Sequence, residues 1–507
     1  MCGITGIYNF SKDNINETTL TNMNNQMIDR GPDDGGLLIS QNVGIAMRRL
    51  SIIDLNAGKQ PMRDNKFDVS IVFNGEIYNY IELRNQLIQE GVIFNTKSDT
   101  EVILKLYIKY SFDCVKYLNG MFSFAIFDKS KSILWIARDR FGIKPLYYKY
   151  DSKSFVFASS INAIKQHEIF DNDINETSII NFLAASYTHK KSIYKDLYKL
   201  EPGHQIIIEK NHLKISKYLN IEIKNEKNLS DKEFSEKLSF IINDSIKIQS
   251  RSDVEIGSFL SGGIDSSAIT AIHKRKINKP FHTFSMTFDK KTMMDNYFAK
   301  ILSQKIGTIH HAYELNYIEG FNTLHNLLKK FDEPIGDSAV IPSYYLSKKA
   351  NEKGIKVMLS GAGGDEIFGG YRRYFKSFRD IISSKIKFLS NNFNISLSKL
   401  GFHKLSHICF LLSNTSASYG TSISGLNLGI ISTLFKSDVI DNILFSYSNN
   451  NKINLASTNN EFVRNRMEHD FKNYLVNDIL ALTDKASMAS SVEVRVPFLD
   501  NRLTDLI

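Results

Sequence analysis

At 507 residues, with 42% hydrophobic and 23% charged side chains, the chain is too long for one ordinary core and too apolar to be disordered. Its 63 basic and 54 acidic residues are interspersed, so most of the net charge of +9 reads as a Lys-rich solvated surface, with attraction of anionic substrates as the functional alternative. Cys2, Cys114 and Cys409 stand too far apart for a disulfide framework or a zinc cluster, MCGITGIYNF is no secretory signal, and no run nears the ~18 apolar residues of a membrane span, so a cytoplasmic protein is expected.

Residues 1–215 read as one strand-rich domain. Val69–Phe73, Phe122–Asp128, Ile133–Ala137 and Phe155–Ala158 are short, β-branched or aromatic, and bounded by turn residues, a spacing that suggests antiparallel sheets. Ile81–Glu90 and Thr100–Tyr110 carry apolar residues at helical spacing. The charged, weakly apolar stretch ending at Asp231 reads as a linker over 216–231, and helical periodicity resumes at Phe234–Ile248. Within 232–507 the pattern changes to strand, turn, helix: Val254–Leu260 then Ser266–Lys274, His282–Phe288 then Asn296–Ile306, and Lys356–Leu359 before a second Gly-rich turn. Such alternation implies a parallel sheet with helices on both faces. From about 375 to 480 the chain reads as mostly helical, with Ser/Asn-rich loops.

Cys2 directly follows the initiator Met, whose removal would leave a free α-amine beside the thiol. Such an amine titrates at roughly 7.7–8 and can serve as the thiol's base. Phe73-Asn74-Gly75-Glu76 follows an apolar strand. Asn-Gly alone is a hairpin-turn signal, but IYNYIELRNQL after it looks helical, so the second hairpin strand is missing. The Asn74 amide and the Gly75 N–H then suit a tetrahedral oxyanion. Arg49 could clamp a carboxylate, and Asp99 either holds an ammonium group or caps the helix after it.

Phe259-Leu260-Ser261-Gly262-Gly263-Ile264-Asp265-Ser266-Ser267 joins a strand to a helix. Its glycines permit close approach of a phosphate to the backbone, the helix N-terminus supplies donors, and Asp265 could hold Mg²⁺. It is not a Walker A loop, since the Gly-Lys-Ser/Thr ending is absent.

Several motifs in one order carry a resemblance. MCGI at 1–4, RGPD at 30–33, RLSIIDL at 49–55, QP at 60–61, NGEIYN at 74–79, SDTE at 98–101 and ARDRFGIKPLYY at 137–148 resemble the class II glutaminase domain, an N-terminal-nucleophile fold. SGGIDS, the turn Ser360-Gly361-Ala362-Gly363-Gly364-Asp365-Glu366, and the strings DKASM and VEVRVPFLD resemble the PP-loop synthetase half of glutamine-hydrolysing asparagine synthetases. The resemblance implies an αββα sandwich followed by a parallel-sheet ATP pyrophosphatase domain with extra helices. It implies Cys2 as nucleophile, Asn74 with Gly75 as oxyanion hole, Arg49 on the glutamine carboxylate, and Glu76 with Asp99 on its amino group. Leu260, Ser261, Gly262, Gly263, Asp265, Ser266, Ser360 and Gly361 would take ATP, Asp265 and Asp365 would hold Mg²⁺ on the pyrophosphate, and Lys485 would neutralise the transferring phosphoryl group. The expected partners are glutamine, ATP and a carboxylate acceptor, aspartate first.

The chain departs from the family at two places. Ala362 stands where the bacterial pattern has the Glu associated with forming the aspartyl-adenylate, so either Glu366 or another group takes over, or the acceptor is a uronic acid sugar of surface-polysaccharide pathways. The family also continues beyond VPFLD, whereas this sequence stops at Ile507, and a shortened carboxyl end is expected. PP-loops serve tRNA-modifying enzymes too, but the basic run Tyr371–Lys387 reads as the solvated side of helices, so neither nucleic acid nor membrane is expected as a partner. The oligomeric state stays open, a homodimer among the options.

Overall fold

The computed structural model describes residues 2–219, 229–288, 293–375 and 459–506, with a few isolated positions between 376 and 458. The helical reading of 375–480 therefore falls largely outside the described residues, as does Cys409, while Cys2 and Cys114 are free thiols.

Two six-stranded antiparallel sheets form the first domain. One runs in the order Tyr198–Lys199, Tyr147–Tyr150, Ser154–Ala158, Gly3–Asn9, Val43–Arg49, Asp34–Ser40. The other runs His212–Lys217, His204–Glu209, Ile133–Arg138, Gly120–Asp128, Val69–Ile77, Met62–Asp64. Side chains alternate across each strand, so Ile71 and Phe73 pack outward under the helices Tyr80–Gln89 and Asp99–Tyr110, while Val72 joins Ile4, Ile45, Ile136 and Phe157 between the sheets. On the far side, Glu17–Asn25 and Ile161–Ile164 cover the first sheet. This is the αββα sandwich that the resemblance implied. Asn74 and Gly75 form no turn and belong to strand Val69–Ile77, paired with Ser123 and Phe122, so the strand runs beyond the expected Val69–Phe73. The cap of the helix at 99 is Ser98, whose hydroxyl accepts from the Thr100 N–H, which leaves Asp99 free for another task.

Strand His212–Lys217 carries the first domain past residue 215, and the helix Asp231–Gln249 opens the second with a capping box from Ser230 and Glu233. Five parallel strands follow in the order Ile309–Glu314, His282–Thr287, Ile256–Phe259, Val357–Leu359, Glu493–Arg495. The helices Ile264–Lys276, Met293–Ile306 and Val340–Glu352 provide the crossovers. No helix among the described residues is long and apolar enough to cross a membrane. Arg373, read from sequence as part of a solvated basic face, is instead paired with Asp470 at 2.7 Å and stacked on Tyr371 and Tyr474.

The two domains share a core. Tyr78, Met121, Phe141 and Ile143 of the first pack with Ile246, Leu359, Val496 and Phe498 of the second. A second apolar seam joins Leu50, Ile52 and Ile53 to Val357.

Candidate active site

Cys2 immediately precedes strand Gly3–Asn9 of the first sheet, and its backbone nitrogen donates to Asn74 Oδ1 at 3.1 Å across the sandwich. That nitrogen is the atom that becomes the α-amine once Met1 is removed. Asn74 is fully buried, and its Nδ2 is held by Ser123 and Ser159 hydroxyls, both at 3.4 Å. One amide thus accepts the Cys2 nitrogen through its oxygen while its NH₂ is held in place by two hydroxyls. Gly75 has φ +153°, and a Cβ there would lie 2.0 Å from the Met121 carbonyl oxygen. Gly75→Ala is therefore expected to push strand Val69–Ile77 off its neighbour beside Cys2 and, if the resemblance holds for this pair, to lower glutamine hydrolysis by about 10²-fold or more, measured as glutamate release.

The cleft at Cys2 is lined by Arg49, Gly75, Glu76, Asp99 and, from the second domain, Glu493. Arg49 donates to the carbonyls of Ile53, Asp54 and Leu55 at 2.8–3.2 Å, which fixes that loop as one wall. Asp99 accepts the Ile77 N–H at 3.0 Å, and burial raises its carboxyl to about 6. Burial and the Asp99 charge also raise the Glu76 carboxyl well above its ordinary value, and Glu76 Oε1 has no hydrogen-bond partner. Two buried carboxyls in one cleft, one of them with an unpartnered oxygen, suit an incoming ammonium group. Burial likewise pushes the Cys2 thiol up, so the thiolate needs a base at hand.

On the second domain, two loops leave the C-terminal ends of the adjacent parallel strands Ile256–Phe259 and Val357–Leu359, the usual ligand crevice of an open parallel sheet. Leu260 is buried and tied to Phe284 at 2.8 Å, while Ser261 and Ser266 hydroxyls meet at 2.9 Å and brace the turn through Gly262 and Gly263. The helix that follows starts with no side-chain cap, so its first N–H groups face outward for an anion. Ser360 and Gly361 sit against this turn; a Cβ at Gly361 would be 3.1 Å from the Ser266 nitrogen. Asp265 and Asp365 are half-buried neighbours, each carboxyl raised first by burial, with Asp365 adding to the rise at Asp265. A Cβ at Gly364 would fall 2.5 Å from Asp265 Oδ2, and one at Gly370 1.9 Å from Asp365 Oδ1. This pair of hard oxygen donors, kept clear by glycine, fits Mg²⁺ shared with phosphate oxygens; no larger His/Cys/Asp/Glu metal cluster exists among the described residues.

Residues 1–219 match the glutamine amidotransferase domain, and residues 237–507 match asparagine synthase. The chain is 34% identical to glutamine-hydrolyzing asparagine synthetase 1 of Bacillus subtilis (strain 168) over 522 residues, covering 100% of this chain and 80% of that one. It is 31% identical to synthetase 3 of the same organism over 538 residues, with the same coverage of 100% and 80%. Asparagine synthetase B of Escherichia coli (strain K12) is 30% identical over 394 residues, 74% of this chain and 66% of that one. The chain belongs to the glutamine-hydrolysing asparagine synthetase family. It is a carbon–nitrogen ligase of the glutamine-dependent asparagine synthetase type.

Between the two sites of this synthetase runs a buried set of ion pairs, and here the sequence reading missed residues. Arg30 Nε donates to the Cys2 carbonyl at 3.1 Å, and its two terminal nitrogens grip Asp484 at 2.7 and 3.2 Å. Lys485, the next residue, lies 2.7 Å from Asp332 and 3.9 Å from Glu333, which hold its charge. Arg495, at 0% exposure, bridges Glu76 at 2.9 Å and Glu493 at 2.7 Å and donates to the Gln249 and Arg251 carbonyls. Arg30, Glu493 and Arg495 all lie in motifs quoted above, RGPD and VEVRVPFLD, but nothing local tells that each reaches into the other domain. In ARDRFGIKPLYY the signal is structural: Asp139 accepts the amides of Phe122, Phe141, Ile143 and Lys144 and so ties the turn.

Burial pushes the Asp332 carboxyl up, but Lys485, Ser160 and the Ile161 amide outweigh it and hold the group at about 2. A carboxyl depressed in this way stabilises the fold above its unfolded value near 4 and loses that contribution as pH falls toward 2. Thermal melts are expected to drop across that window by on the order of 2 kcal/mol from this group, and Asp332→Asn is expected to be less stable at neutral pH and flatter across the window.

Proposed function

We propose that this chain makes asparagine, AMP and pyrophosphate from aspartate, ATP and glutamine. The Cys2 thiol attacks the glutamine amide carbonyl, its proton passing to the terminal amine, while Asn74 Nδ2 and the Gly75 N–H hold the oxyanion. The amine returns the proton to the leaving nitrogen, ammonia departs, and water hydrolyses the thioester to glutamate. Arg49 anchors the glutamine carboxylate, and Glu76 with Asp99 takes its ammonium group. In the second site a carboxylate oxygen of aspartate attacks the α-phosphorus of ATP and pyrophosphate leaves. Ammonia then attacks the acyl carbon, and AMP leaves as a proton is released. Leu260, Ser261, Gly262, Gly263, Ser266, Ser360 and Gly361 cradle the nucleotide. Asp265 and Asp365 would hold Mg²⁺, which supplies charge neutralisation on the pyrophosphate. Lys485 would join in only as its pair with Asp332 is shared or opened.

The observation that carries this reading is the position of Glu493–Arg495. This strand lines the Cys2 cleft through Glu493 and pairs with Val357–Leu359, whose end bears the Ser360–Gly361 loop, so one continuous interior supports both sites. Ala362, half-buried against apolar neighbours, favours a second reading in which the same machinery amidates a nucleotide-linked uronic acid. Pyrophosphate release from ATP with glutamine and a panel of carboxylates separates them. Aspartate-dependent release with asparagine as product supports the first reading; release only with uronic acids replaces it with the second.

A further inference from the structure

The glutamine cleft lies in the first domain, yet the cation that pairs with one of its carboxylates comes from the second. Arg495 Nη2 donates to Glu76 Oε2 at 2.9 Å, and Nε, on the same edge of the guanidinium, donates to Glu493 Oε1 at 2.7 Å. The remaining nitrogen, Nη1, donates to the Gln249 and Arg251 carbonyls at 2.7 and 2.6 Å. These partners fix the plane of a fully buried guanidinium. Its backbone is held as well: strand Glu493–Arg495 pairs with Val357–Leu359, and the Arg495 carbonyl accepts the Ser360 N–H at 2.9 Å. A side chain rooted beside the nucleotide loop thus ends on Glu76, in the wall of the glutamine cleft.

What Arg495 holds there bears on glutamine binding. Glu76 is 4% exposed and directly follows Asn74 and Gly75 on strand Val69–Ile77. It lines the same cleft as Cys2 and Asp99. Burial, with the charges of Asp99 and Glu493, pushes the Glu76 carboxyl toward its neutral form, whereas Arg495 and the amino terminus favour the charged one. A neutral carboxyl pairs poorly with an ammonium group, and a freely rotating one pairs with it only part of the time. Arg495 meets both needs. It takes Oε2 and leaves Oε1, which has no hydrogen-bond partner among the described residues, for a ligand. Arg49, the first domain's guanidinium in this cleft, donates instead to the Ile53, Asp54 and Leu55 carbonyls.

We propose that Arg495 is a positioning residue for glutamine hydrolysis: from the second domain it orients Glu76 so that the remaining oxygen receives the α-ammonium group of glutamine. This rests on the glutamine-hydrolysis half of the reading above. The test uses the full chain with Arg495→Lys, Glu76→Gln and the two combined, each read as glutamate release, with a thermal melt as folding control. Lysine keeps the charge but has one nitrogen where arginine has three. R495K is expected to raise the KM for glutamine by about 10-fold or more, with kcat kept within about threefold. Ammonia-supported pyrophosphate release is expected to stay unmoved, because the backbone bond to Ser360 survives the change. In the E76Q background the same change is expected to add less than about twofold, since its target is gone. An unchanged glutamine KM overturns the proposal. An equal rise in both backgrounds does so too, as does a parallel loss of ammonia-supported turnover, because each marks a merely structural role. Should R495K fail to fold, Glu493→Gln, which loosens the Nε side of the same guanidinium, is read in the same assay, and an unchanged glutamine KM there overturns the proposal. If the unaltered chain releases no glutamate, the glutamine-hydrolysis reading falls with this one; if it does and R495K matches it, only this one falls.

Discussion

Cys2→Ala is expected to lower glutamine hydrolysis by about three orders of magnitude or more, while synthesis from free ammonia persists. The first half follows from the chemistry at the sandwich centre. Cys2 carries its thiol on the same residue whose nitrogen bonds the Asn74 amide, and the oxyanion donors have nothing to stabilise without an attacking sulfur. The second half follows from separation: the nucleotide loops lie at the end of a different sheet and draw no side chain from Cys2. Glutamate release and ammonia-supported AMP formation, measured on one preparation, report the two halves independently. Residual hydrolysis within tenfold of the unaltered chain would remove Cys2 from the role given to it.

The second large effect is on stability. Arg495→Met is expected to destabilise the protein by about 3–5 kcal/mol, read as a fall in the denaturant midpoint. The arginine is fully buried and neutralises Glu76 and Glu493 at once, while also satisfying two backbone carbonyls. Deleting it strands two interior carboxylates, which must then protonate or take in water. Combining the change with Glu76→Gln and Glu493→Gln should recover part of the loss, because the stranded charges go with it. A single variant as stable as the parent would mean that the pair is solvated and the domain seam is looser than the structure has it.

Much of the fold was legible because its signals are local. Alternating apolar strands, the helix periods at Tyr80–Gln89 and Asp99–Tyr110, and the strand–Gly turn–helix at 256–276 each announce themselves within a dozen residues. Cys2, Asn74, Gly75, Arg49, Glu76 and Asp99 were named from motifs, and five of the six line or abut one cleft with Asn74 bonded to Cys2. What stayed hidden depends on long-range approach. Asn74-Gly75 has the composition of a turn, and only pairing with Ser123 and Phe122 keeps it extended. Glu493 and Arg495 look like ordinary strand charges until the domains meet.

The seam between the halves has a bearing on how such enzymes can diverge. Arg30 with Asp484, Glu76 with Arg495, Asn119 with Asp500 and Lys356 with Asp33 are each one hand of a clasp whose other hand is encoded hundreds of codons away. Recombination that exchanged either half for that of a distant cousin would bring together unmatched hands. The two catalytic modules are thereby bound to a common inheritance, and chimeras should work only where these contacts travel as complete sets.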